Sequence, residues 1–156
     1  MFSFLNLRII LKRIVMRQHV PVSTIMTKDI IKLTIKDDLT KAESLFKHYK
    51  IRHIPVVSGA TIIGMLSYTD LLRISFADAI DDDEEVIDTT VYNMFTVEQV
   101  MAKKLVTITP ETTIKEAAEI LACKEFHALP VCDDHVLVGI VTTTDLIKYL
   151  LDQYKN

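Results

Sequence analysis

Shifting the chain against itself by 75 residues lays Val22–Arg73 over Val97–Lys148 without one insertion. Identical pairs include Met26 with Met101, Thr34 with Thr109, Ala42 with Ala117, Pro55 with Pro130, Val56 with Val131, Gly64 with Gly139, Thr69 with Thr144, Asp70 with Asp145 and Leu71 with Leu146. Most other apolar positions exchange one aliphatic residue for another, as Ile31 for Val106 and Ile54 for Leu129. A gapless match of this length is one structural unit used twice. About fifty residues is marginal for a self-sufficient core, so the two copies are expected to bury their faces against each other.

Each copy reads as β-α-β-β-α, an α+β arrangement. "DIIKLTI" (29–35) and "KLVTITP" (104–110) are β-branched runs of strand length. In the next segments Leu39, Ala42, Leu45 and Phe46, or Ile114, Ala117, Ile120 and Leu121, fall at helical spacing. "HIPVVS" and "ALPVCD" are short buried strands opened near a proline, and "TIIGMLS" and "VLVGIVT" follow at hairpin distance. A second helix starts at "TDLLRIS" or "TDLIKYL".

This divides the chain into an N-terminal extension (1–19), repeat 1 (20–77), a linker (78–94), repeat 2 (95–151) and a short tail (152–156). The extension carries Arg8, Lys12, Arg13 and Arg17 among large aliphatics. Its apolar stretch is too short and too interrupted for a membrane span, and it lacks the layout of a signal peptide. A cytoplasmic protein is expected, and Met16 is an alternative translation start. Residues 78–88 hold seven acids, no base and no glycine, which reads as a solvated linker rather than a calcium loop.

A net charge of −3 creates no field for nucleic acid, so an anion site has to be built locally. Cys123 and Cys132 form no CxxC and read as small buried hydrophobes. The five histidines show no metal-ligand spacing, and the chain contains no P-loop, nucleophile elbow or HExxH. No catalytic or metal-ligating residues are expected.

Chemistry concentrates at the end of each repeat, in "GMLSYTD" (64–70) and "GIVTTTD" (139–145). Ser67 and Asp70, like Thr142 and Asp145, have the hydroxyl-then-acid spacing of a helix N-cap. Capping does not explain Gly64 and Gly139. A mid-strand glycine is usually unfavourable unless another group approaches closely, so some group is expected to sit against that strand.

The doubled "VSTIM" and "VEQVM", the "IPV" and "LPV" strands and the glycine-to-aspartate endings together resemble tandem CBS domains (Bateman module) over residues 20–151. The resemblance implies two repeats packed with pseudo-twofold symmetry. It also implies a regulatory module binding an adenosine-containing ligand (AMP, ADP, ATP or S-adenosylmethionine) in clefts between the repeats, and a homodimer of two such modules. It assigns Asp70 and Asp145 to ribose hydroxyls and Ser67 and Thr142 to phosphate. Some repeats in the family place a basic residue three positions before the "PV" proline, aimed at phosphate; Arg52 before Pro55 and His127 before Pro130 match. The adenine-facing positions would be Thr27, Ile31 and Lys32 in repeat 1 and Ala102, Val106 and Thr107 in repeat 2. Ala102 lacks the usual hydroxyl, which weakens the cleft that uses it. The alternative is a ligand-free scaffold that mediates homodimerisation or binds an unidentified regulated protein.

Overall fold

The computed structural model describes residues 19–76 and 89–154. The basic extension with its alternative start at Met16, and the acidic stretch 78–88, lie outside the described residues.

The chain is α+β. After a short 3-10 turn at Val22–Thr24 come α1 (Leu39–Tyr49), β1 (His53–Ser58), β2 (Thr61–Ser67) and α2 (Tyr68–Phe76). The second half runs α3 (Thr89–Met94), α4 (Val97–Val100), α5 (Ile114–Cys123), β3 (Ala128–Asp133), β4 (Val136–Thr142) and α6 (Thr143–Gln153).

The helix boundaries follow from local chemistry. Asp38 accepts from the Lys41 N–H at 2.7 Å and starts α1, which ends where Lys50 turns left-handed at φ 53°. Thr113 and Glu116 form a reciprocal capping box at the start of α5. Leu39, Ala42 and Phe46 then line one buried face of α1, and Ile114, Ala117 and Leu121 one face of α5. In the turn between β3 and β4, Asp134 and His135 take positive φ values of 44° and 68° without glycine.

The first strand expected in each repeat is reduced to a single parallel bridge. Leu33 pairs with Val56, its N–H donating to the Pro55 carbonyl at 2.9 Å while its own carbonyl accepts from Val57 at 2.8 Å. Ile108 pairs with Val131 in the same way. Pairing stops there because the next residue is captured by a turn. The Thr34 N–H and hydroxyl both donate to Asp37 Oδ2, and the Thr109 N–H donates to the Thr112 hydroxyl. β-branched composition favoured extension, but local side-chain bonds ended it after one bridge.

Two compact units form, and they do not coincide with the two repeats. Among the described residues, unit 1 joins 19–29 to Thr107–Asp134 and 138–154, and unit 2 joins 30–76 and 89–106 to His135–Leu137. Each repeat body therefore holds the leading segment of the other repeat. In unit 1, Val22 packs with Ile108, Ile114, Leu129 and Val141, and Met26 lies against that cluster. In unit 2, Val97 and Met101 pack with Leu33, Phe46, Ile54 and Leu66, joined by Tyr92 from α3. Tyr92 is 2% exposed, and burial raises the pKa of its phenol, which meets the Ser75 hydroxyl at 3.1 Å.

The exchange explains the glycines. A Cβ on Gly64 would overlap the Met101 side chain, coming within 2.8 Å of its Cγ, and a Cβ on Gly139 would come within 3.0 Å of Met26 Cγ. The group expected against each strand is a methionine of this chain. The two glycines admit the last residue of "VEQVM" and "VSTIM", and the next residue then pairs with the strand. Ala102 exchanges both backbone hydrogen bonds with Met65 (2.9 and 3.0 Å), and Thr27 does so with Ile140 (2.9 and 3.0 Å).

Gly64→Ala is expected to cost about 1–3 kcal/mol through overpacking. Met101→Ala combined with it should recover part of that loss, so the double mutant is more stable than additivity predicts; a denaturant-unfolding cycle measures this coupling. Additive costs would place the methionine elsewhere.

Acid should weaken the α5 cap. The Thr113 backbone N–H, and after it the Thr113 hydroxyl, hold the Glu116 carboxyl below its ordinary value of 4.5. A folded-state pKa below the unfolded one contributes stability above the unfolded value, and that contribution is lost as the pH falls through the folded one. Between about pH 5 and pH 3, Glu116→Gln should therefore lose stability less steeply than the parent in thermal melts.

Candidate functional site

Each unit brings a strand end, a helix start and the residue before a buried strand to one place. In unit 2, β2 ends at Ser67 and α2 begins at Tyr68, whose N–H donates to the Arg52 carbonyl at 2.9 Å. In unit 1, β4 ends at Thr142, and the Thr143 N–H donates to the His127 carbonyl at 3.1 Å. These bonds fix the backbones of Arg52 and His127 beside the two caps, while both side chains are exposed and form no ion pair among the described residues.

The capping expectation is met in both units. The Thr142 N–H and hydroxyl donate to Asp145 Oδ2 at 2.8 and 2.7 Å, and the Asp145 N–H returns a bond to the Thr142 hydroxyl at 3.3 Å. The Ser67 hydroxyl and N–H likewise donate to Asp70 Oδ2, and the Asp70 N–H donates to the Ser67 hydroxyl at 3.1 Å. A carboxylate accepts through two oxygens, so capping engages one and leaves Oδ1 for other use. Asp145 Oδ1 has no partner among the described residues, whereas Asp70 Oδ1 has Arg73 Nη1 at 3.6 Å.

Exchange of the leading segments regroups the adenine-facing positions. Thr27 lies in unit 1, paired with Ile140 two residues before Thr142, and shares that unit with Thr107, His127, Pro130 and Asp145. Ala102 lies in unit 2, paired with Met65 two residues before Ser67, and shares it with Ile31, Lys32, Arg52, Pro55, Asp70 and Val106. Thr27 and Ala102 thus change places relative to a grouping by repeat, and the unit lacking the hydroxyl is the one carrying Arg52.

Thr27, Lys32, Ala102, Val106 and Thr107 are exposed and Ile31 is half-buried. Pro55 and Pro130 are buried, and their carbonyls hold Leu33 and Ile108. They shape the strand and present no free surface. Arg73, which sequence reasoning passed over, sits one helical turn beyond Asp70 on α2; its i,i+3 spacing from an acid is the signal that could have found it.

Among the described residues no group of three or more histidines, cysteines or acids is placed to hold a metal ion, and no helix is long and apolar enough to cross a membrane. The expectation that both cysteines are buried holds in part: Cys123 is exposed, while Cys132 is partly buried and its thiol pKa is pushed up by burial.

The CBS domain family profile matches residues 22–77 and 97–152. The chain belongs to the CBS domain family. A curated relative, the uncharacterized protein MJ1225 of Methanocaldococcus jannaschii, is 26% identical over 125 residues, covering 80% of this chain but 45% of the relative. This chain thus spans about half the length of that protein. Among solved structures, CBSX2 in complex with AMP superposes with a TM-score of 0.71 at 23% identity, covering 88% of this chain and 99% of that one. The CBS domain pair of protein MJ0100, in complex with 5′-methylthioadenosine and S-adenosyl-L-methionine, gives 0.72 at 20% identity, covering 86% and 98%. These similarities establish the CBS-pair fold.

In this CBS pair, Asp145→Ala is expected to cost about 1 kcal/mol through loss of the bonds that its carboxylate accepts from the Thr142 N–H and hydroxyl, whereas Asp145→Asn, which keeps an acceptor for Thr142, should cost less than half of that in chemical denaturation.

Proposed function

We propose that this CBS pair is a cytoplasmic regulatory module that binds an adenosine-containing ligand (AMP, ADP, ATP or S-adenosylmethionine) and has no catalytic step of its own. One observation carries the reading. In both units an aspartate accepts from its cap through Oδ2, which leaves Oδ1 outside the capping bonds, and Arg52 or His127 is anchored by its carbonyl beside the same helix start. The cap supplies a preorganised carboxylate, and the hydroxyl and helix N-terminus supply donors for an anion. The AMP and S-adenosyl-L-methionine found with CBSX2 and MJ0100 support the choice of ligand class.

Regulation would follow from differential affinity. A ligand that binds two arrangements of the module unequally shifts their populations by that difference, and a partner that reads one arrangement senses occupancy.

A homodimer is the second part of the proposal. Ile147, Leu150 and Leu151 of α6 and Tyr154 just after its end are all more than half exposed, an apolar strip that favours association. Leu71, by contrast, is fully buried within unit 2 and contributes no such surface. A ligand-free scaffold would use the same strip and leave the capped aspartates idle.

Calorimetric titration with AMP, ADP, ATP and S-adenosylmethionine separates these readings. Binding by at least one of them is expected, with Asp70→Asn and Asp145→Asn each removing about 1–3 kcal/mol of affinity at its own unit. No heat with any of the four, together with a dimer mass in light scattering, would leave the scaffold reading standing instead.

A further inference from the structure

The two units differ around their aspartates. In unit 2, Asp70 Oδ2 is engaged by Ser67 and Oδ1 by Arg73, so both oxygens have partners. In unit 1, Asp145 Oδ2 is engaged by Thr142, but Lys148, the counterpart of Arg73, forms no ion pair among the described residues. The other counterparts differ in the same direction. Arg52 stands where unit 1 has His127, and Lys32 where unit 1 has Thr107. At these three positions unit 2 carries Lys32, Arg52 and Arg73 where unit 1 carries Thr107, His127 and Lys148.

A ribose hydroxyl donating to Asp70 Oδ1 competes there with the Arg73 ion pair. The Arg73 guanidinium is 77% exposed and tethered one helical turn away, so a phosphate on the same ligand can draw it off and be forked by two parallel N–H bonds. A ligand without phosphate offers nothing in return for the weakened ion pair. Asp145 Oδ1 carries no such competitor among the described residues.

Resting on the nucleotide reading above, we infer that Arg73 sets the ligand class of unit 2: that unit takes adenosine nucleotides carrying several phosphates, whereas unit 1 takes adenosine compounds with little or no phosphate charge. Arg73 discriminates with opposite signs. Its exposed pair with Asp70 weakens phosphate-free ligands by a factor of at most about five, and its contact with phosphate strengthens nucleotides by about ten-fold.

The test uses full-length protein with Asp145→Asn, to follow unit 2, and with Asp70→Asn, to follow unit 1, titrated with adenosine and with ATP by calorimetry. The ratio of ATP to adenosine affinity is expected to be at least about ten-fold larger in Asp145→Asn than in Asp70→Asn. Adding Arg73→Gln to Asp145→Asn should tighten adenosine by up to about five-fold and weaken ATP by about ten-fold. A merely structural role for Arg73 would move both ligands the same way. Equal ratios in the two single variants, or parallel shifts on Arg73→Gln, overturn the inference while the nucleotide reading survives. No heat from either ligand in the parent protein overturns both.

Discussion

A methionine lying in the gap left by a missing side chain is the contact on which the rest of this structure depends. Met101 fills the space over Gly64, and Met26 the space over Gly139. Any side chain at those glycines would push the methionine off the strand, because protein interiors hold few voids that could absorb the displaced volume. Once the methionine is in place, Ala102 and Thr27 fall into register with Met65 and Ile140. Their side chains then stand two residues along the strand from Ser67 and Thr142, so a packing contact determines the make-up of each candidate site.

The caps connect stability to function in the same economical way. A helix N-terminus leaves orphan N–H groups that need acceptors, and an aspartate three residues in completes the box with a serine or threonine. Only one carboxylate oxygen is used for this. The other stays oriented by the bonds its twin makes, so the fold supplies a fixed acceptor without spending further residues on it. Arg52 and His127 are fixed by the same logic, their carbonyls receiving the first helical N–H groups while their side chains face outward.

The hairpins, both long helices of each repeat and the two capping boxes were legible from the sequence, because each rests on interactions among residues close in the chain. Periodicity located α1 and α5, and the hydroxyl-acid spacing located the starts of α2 and α6. The first strands were not legible, since their β-branched composition was overruled by turns at Thr34–Asp37 and Thr109–Thr112 that no propensity scale weighs. Exchange of the leading segments was hidden for a different reason. Both repeats carry the same methionine and the same glycine, so the sequence pattern gives no sign of which copy of one packs against which copy of the other.

Backbone amide shifts during an adenine-nucleotide titration test the central claim, that the exchanged segments complete the sites. In a 15N-labelled sample, the Thr27 amide should move with Thr142 and Asp145 along one titration curve, and Ala102 with Ser67 and Asp70 along another. Thr27 tracking Ser67 and Asp70 would contradict the account.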